Sequence, residues 1–87
     1  MKNKLRECGI MESNQRILID IDKLEESFKE IKDIQFSEDE KKVIERAKNY
    51  GDDCKYYLEK GDEVTSFGCI TYSHGLIDAL KMVYNLI

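Results

Sequence analysis

The six residues Leu58-Glu59-Lys60-Gly61-Asp62-Glu63 hold a helix stop and a helix start with nothing between them. Gly61 suits the left-handed position just past a helix end, where a Cβ is penalised. Asp62 follows at once with the short side-chain acceptor of an N-cap, and Glu63 sits in the first turn, near the positive end of the helix dipole. A two-residue joint leaves no length for a crossover. The helices on either side must therefore be antiparallel neighbours.

Upstream of the joint, Val43, Ala47, Tyr50, Cys54 and Tyr57 keep heptad spacing, flanked by Ile44, Gly51 and Leu58. This helix starts at Ser37-Glu38-Asp39-Glu40, a capping box in which Ser37 and Glu40 satisfy each other's backbone amides. Before it, Ile10, Asn14, Ile17, Ile21, Leu24, Phe28 and Ile31 alternate in steps of four and three, with Leu18 and Ile34 widening the stripe. The spacing predicts a first helix over 13–34, a second from Glu38 to the Lys60-Gly61 stop, and a third over 63–85. The connection at Gln35 to Ser37 is also short. An all-α fold follows, an antiparallel up-and-down three-helix bundle. Residues 13–87 form its single domain, and 1–12 are an N-terminal segment, frayed or extending the first helix.

At 87 residues the chain makes one domain, burying about 60–65% of its unfolded surface. It has no Pro, which fits long helices with short joints. The three Cys, at 8, 54 and 69, form no CxxC pair. They read as small buried hydrophobes rather than a disulfide framework or a zinc site. The longest apolar run is Ile17-Leu18-Ile19, far short of a membrane span, and no apolar signal region follows the basic start. A cytoplasmic protein with no membrane partner is expected. The net charge of −4 is uneven, with residues 1–19 at +2, 20–40 at −6 and 41–87 at 0. An acidic middle repels phosphate backbones, which makes nucleic acid an unfavourable partner.

His74 is the only histidine, and Asp78 lies one helical turn later on the same face. With Tyr50, Ser66, Ser73 and Cys69 in the inventory, a hydrolase is conceivable. It fails for want of a nucleophile elbow, an oxyanion turn or a sheet to hold the parts. Tyr50, His74 and Asp78 remain the candidate polar site, and no catalytic residue, metal or cofactor is expected. Gly51, Gly68 and Gly75 interrupt helices at a cost of about 1 kcal/mol each relative to Ala. Gly68 and Gly75 share a face with Thr71 and Ala79, a small-residue stripe that another helix or a Tyr ring can approach. Of the tyrosines, Tyr50 and Tyr57 fall on the core stripe and Tyr56 beside it. Base stacking by these, Tyr72 or Tyr84 has no basic groove to support it.

Three stretches carry a family likeness. They are Glu45-Arg46-Ala47-Lys48-Asn49-Tyr50, then Tyr56-Tyr57-Leu58-Glu59-Lys60-Gly61-Asp62, then Phe67 through Ala79 with its Tyr72-Ser73-His74-Gly75-Leu76-Ile77-Asp78-Ala79 run. Together they resemble the archaeal domain-of-unknown-function family 357 over residues 38–84. The resemblance implies a small up-and-down three-helix bundle and brings no activity. Ser66 and Ser73 depart from the Ala expected there, and Gly51 from a bulkier residue. More distantly, Leu58-Glu59-Lys60-Gly61-Asp62 followed by a small-residue helix looks like the HEPN (higher eukaryotes and prokaryotes nucleotide-binding) domains. Some of those are ribonucleases with an Arg shortly before a His. Phe67, Gly68 and Cys69 stand at that distance from His74, so only a non-catalytic version is implied.

The third helix is the most apolar. Fourteen of residues 64–87 are apolar, against eight each in 14–34 and 38–60. In a three-helix bundle one apolar stripe per helix suffices. Either the N-terminal segment folds over a broad core, or the surplus marks a non-enzymatic interaction or self-association module, with a homodimer or protein partner on the third helix. Phe67, Gly68, Tyr72, Gly75, Leu76, Leu80 and Val83 are the candidate interface and close-packing residues. The alternative is a HEPN-like nucleotide-binding or nucleotidyltransferase-accessory domain without ribonuclease activity.

Overall fold

A computed structural model describes residues 13–87. The order is α1 (Ser13–Ile31), α2 (Glu38–Glu59) and α3 (Glu63–Val83), an all-α three-helix bundle. The expectations for Cys8, Gly9, Ile10 and the basic start lie outside the described residues.

Both joints form as their residue types dictate. Ser37 Oγ accepts from the Glu40 amide at 3.1 Å, and Glu40 Oε1 accepts from the Ser37 amide at 2.9 Å. Gly61 takes φ +82°. Its amide donates to Leu58 O and the Asp62 amide to Tyr57 O, which closes the end of α2 as a Schellman motif. Asp62 Oδ1 then accepts from the Thr65 amide and opens α3.

Two helix ends fall short of the sequence expectation. α1 stops at Ile31 rather than Ile34. The chain tightens there through Ile34 N to Ile31 O at 3.1 Å, and Ile34 and Phe36 leave the helix to pack on the core. α3 stops at Val83 because Asn85 adopts φ 59°. Leu86 N then reaches Lys81 O and Asn85 N reaches Met82 O, so Asn85 plays at this end the part Gly61 plays in α2.

α3 is the hub. It packs against α2 most closely and against α1 beside it, while α1 and α2 scarcely touch. The α2–α3 seam is held by two buried serines. Ser66 Oγ donates to Cys54 O at 2.7 Å, and Ser73 Oγ donates to Ala47 O at 2.6 Å. Each pair is one heptad from the other, with opposite chain sense, which fixes the antiparallel register. A small hydroxyl lets the helices approach and still satisfies its own polarity. The α1–α3 contact is parallel. His74 Nε2 meets Asp20 O at 2.7 Å, and Lys81 Nζ reaches Ser27 Oγ at 3.1 Å and Glu30 Oε1, both on α1.

The core is Ile17, Ile21, Leu24 and Ile31 of α1, Ala47 and Cys54 of α2, and Cys69, Ile70, Ile77 and Leu80 of α3. Phe28, Val43, Ile44, Tyr50, Tyr57 and Leu58 pack around it, half-buried. Leu18 does not widen the α1 stripe; it lies 51% exposed, and Asn14 is exposed too. α1 reaches α2 at Gly51, where a Cβ would lie 3.0 Å from Leu24 Cδ2 and 4.0 Å from Ser73 Oγ. Gly51 of α2 thus sits beside Leu24 of α1 and Ser73 of α3.

Candidate functional site

α3 has two apolar faces. At 100° per residue, Ser66, Cys69, Ile70, Ser73, Ile77 and Leu80 fall on the inner side and are buried. The opposite side carries Val64, Gly68, Thr71, Gly75, Ala79 and Met82, all exposed. Val64 is 86% exposed, Val83 69% and Met82 64%. A Cβ on Gly68 or Gly75 would meet nothing within 4 Å. Among the described residues the cost of those glycines therefore brings no packing gain, in contrast to Gly51.

Two aromatics border this face. Phe67 leans toward α1, with the Arg16 guanidinium 5.8 Å from its ring centroid. Tyr72 leans toward α2, with its ring edge-on to Tyr50 at 4.6 Å. Between them the glycines lower the floor.

Of the candidate interface residues, Phe67, Gly68, Tyr72, Gly75 and Val83 lie on this outer side. Leu80 does not; it is 6% exposed and belongs to the core, and Leu76 is half-buried against it. The reason is angular. Leu80 is three residues from Ile77 and seven from Ser73, which puts it on the inner stripe.

Tyr50, His74 and Asp78 do not converge. His74 is half-buried toward α1, where the Asp20 carbonyl can only accept, so Nε2 carries the proton. Tyr50 lies on the α2 side, against Tyr72, which is 200° round the helix from His74. Asp78 is exposed on the outer half. Neither of the two cavities between α1 and α2 holds any of the three. Burial pushes the Cys54 and Cys69 thiols above their ordinary range, which disfavours the nucleophilic thiolate. Two shallow cavities of about 240 and 250 Å³ run between α1 and α2 and share Phe28 and Lys48. Their polar residues are Lys32, Lys48, Lys55, Glu25 and Asp52, and Lys55 pairs with Glu25 at 3.5 Å. Among the described residues no cluster of three His, Cys, Asp or Glu stands close enough to hold a metal ion, and no helix is long and apolar enough to cross a membrane.

Sequence reasoning missed three polar contacts. Lys81, 6% exposed, turns inward to Ser27 and Glu30 of α1. Its position four residues after Ile77 and eleven after Ile70 placed it beside the core stripe, which was the available signal. Ser66 and Ser73 showed theirs in heptad spacing matched to Ala47 and Cys54. Tyr84 OH donates to Glu40 Oε1 at 2.5 Å, and its ring sits edge-on to Phe36 at 5.1 Å. Nothing local in the sequence foretells that pair. Donation by Tyr84, then by the Ser37 amide, holds the Glu40 carboxyl below the usual range, and Glu40 in turn raises Tyr84.

The family model described as protein of unknown function (DUF357) matches residues 20–86, and the chain belongs to that family. The match takes in most of α1 as well as α2 and α3, a longer span than the quoted motifs cover. No curated protein matches the chain.

Proposed function

We propose that this chain is a protein-interaction module that docks through the outer face of α3 and performs no chemistry of its own. One observation carries the reading. Large apolar side chains at Val64, Met82 and Val83 lie open on the helix whose other face already fills the core. Exposed single hydrophobes are ordinary, but a continuous apolar helix face in a small domain marks an interaction surface. The bordering aromatics suit this role, since rigid rings give contact area at low entropic cost.

The test is a charge placed on the face. Met82→Glu with Val83→Glu leaves the core untouched and should leave the helical circular dichroism unchanged. Protein association measured by sedimentation velocity, and by cross-linking in the source cells, should fall at least tenfold. Each charge meets an apolar, desolvated surface, a penalty well above the ~1.4 kcal/mol that tenfold represents. Unchanged association in both measurements would end the reading.

A further inference from the structure

We infer that the partner on this face is a second copy of the chain, with α3 packed antiparallel on α3 of its twin about a two-fold axis. The inference rests on the reading of the outer face as a docking surface and names what docks there.

Area is the first support. Val64, Phe67, Tyr72, Met82, Val83 and Leu86 are 41–86% exposed. With the small residues between them they offer on the order of 700 Å² on one side of the molecule. That approaches the ~800 Å² each partner gives a standard interface. A free peptide or small ligand would leave most of it wet.

Self-complementarity is the second. In an isologous pair, residue i of one copy meets j of the other and j meets i. Antiparallel pairing centred beside Ser73 sets Val64 against Met82 of the twin, Gly68 against Ala79, and Thr71 against Gly75. The two-fold then repeats each contact. The apolar ends meet each other, and the smallest residues meet where the axes come closest. Gly68 and Gly75 have open space above them, so the backbones can approach as small-residue helix pairs do.

Charge decides the direction. Asp78 is the charged side chain on the outer half of α3, at the side of the face, since Lys81 turns inward. A parallel pair would set Asp78 against Asp78. The antiparallel pair sets it beside Gly68 of the twin, near the rim, and opposes the two helix dipoles favourably.

Disulfide trapping tests the arrangement. One preparation carries Val64→Cys and another Met82→Cys, both in a Cys8→Ser background. Cys54 and Cys69 are buried and serve as the internal control. Both new positions are exposed, so folding is checked simply by circular dichroism. Mixed and mildly oxidised, the two should form the 64–82 cross-chain bond about tenfold more readily than either forms a bond with itself, because a disulfide needs Cβ atoms within ~4.5 Å. Dominant 64–64 and 82–82 bonds would overturn the antiparallel geometry. No bond above the level of the parent chain, with the unmodified protein sedimenting as one chain at millimolar concentration, would overturn the second copy as partner. In that last case, loss of a cellular cross-link on Met82→Glu with Val83→Glu would leave the docking face standing with a different protein on it. No such loss would remove both.

Discussion

Gly68→Ala with Gly75→Ala separates what the single chain needs from what its partner needs. In the chain, a Cβ at either position meets nothing within 4 Å. Both lie in the interior of α3, where Ala is favoured over Gly by about 0.8–1.0 kcal/mol. They lie two helical turns apart, about 10 Å along the axis, so their effects should add to about 2 kcal/mol. At roughly 4–8 °C per kcal/mol for a domain of this size, Tm should rise by about 8–16 °C. The assay is thermal circular dichroism at a dilution where the chain is monomeric. The same variant should associate more weakly, because the new methyls occupy the floor on which a partner helix rests. Gly51→Ala is the counterpart. Its Cβ would press on Leu24 Cδ2 at 3.0 Å, an overpacking cost of about 1–3 kcal/mol set against the same propensity gain. It should be neutral to destabilising. A fall in monomer Tm for the Gly68 and Gly75 variant would refute the claim that this face is open in the chain. A rise with association unchanged would refute the glycines as the contact floor.

Three further outcomes follow from the fold. Ser73→Ala removes the hydroxyl that bonds Ala47 O and should cost about 1 kcal/mol by urea denaturation, with the m-value unchanged. Lys81→Met keeps the stem and drops the charge. It should stay within about 1 kcal/mol of the parent, whereas Lys81→Ala, which opens the α1–α3 contact, should lose about 2 kcal/mol or more. Glu40 has a lowered carboxyl pKa in the folded chain, so its contribution is whole above the ordinary glutamate value of about 4.3 and fades as pH falls through the lower folded value. Tyr84→Phe removes the largest cause of that shift, and a pH series of Tm should show a shallower acid limb; an unaltered limb would place the acid sensitivity elsewhere.

The fold was legible because its breaks are local. The Ser37–Glu40 box and the Gly61-Asp62 joint each lie within a few residues, and each forms the hydrogen bonds its residue types imply. The ends of α1 and α3 were less legible. Ile34 leaves its helix for a tertiary contact, and Asn85 takes a left-handed backbone that glycine more commonly supplies. The candidate site was legible in part. The apolar surplus of α3 is a count, and five of the seven candidate residues lie on its outer side. Leu80 is the close-packing member of that set, and a count does not say which side of a helix each residue faces. Tyr50, His74 and Asp78 were grouped by chemical type, and the bundle turns Tyr50 against Tyr72, His74 toward α1 and Asp78 to solvent. Lys81 and the two serines were hidden for a related reason. Polar residues on a buried stripe look like interruptions until the partner groups, Glu30, Ala47 O and Cys54 O, come into place.

Sedimentation equilibrium of the unmodified chain from micromolar to millimolar concentration tests the outer face of α3 most directly. The expected result is a mass that climbs from one chain to two and stays at one for Met82→Glu with Val83→Glu. A single-chain mass across the whole range, alike for both proteins, would contradict self-association through α3.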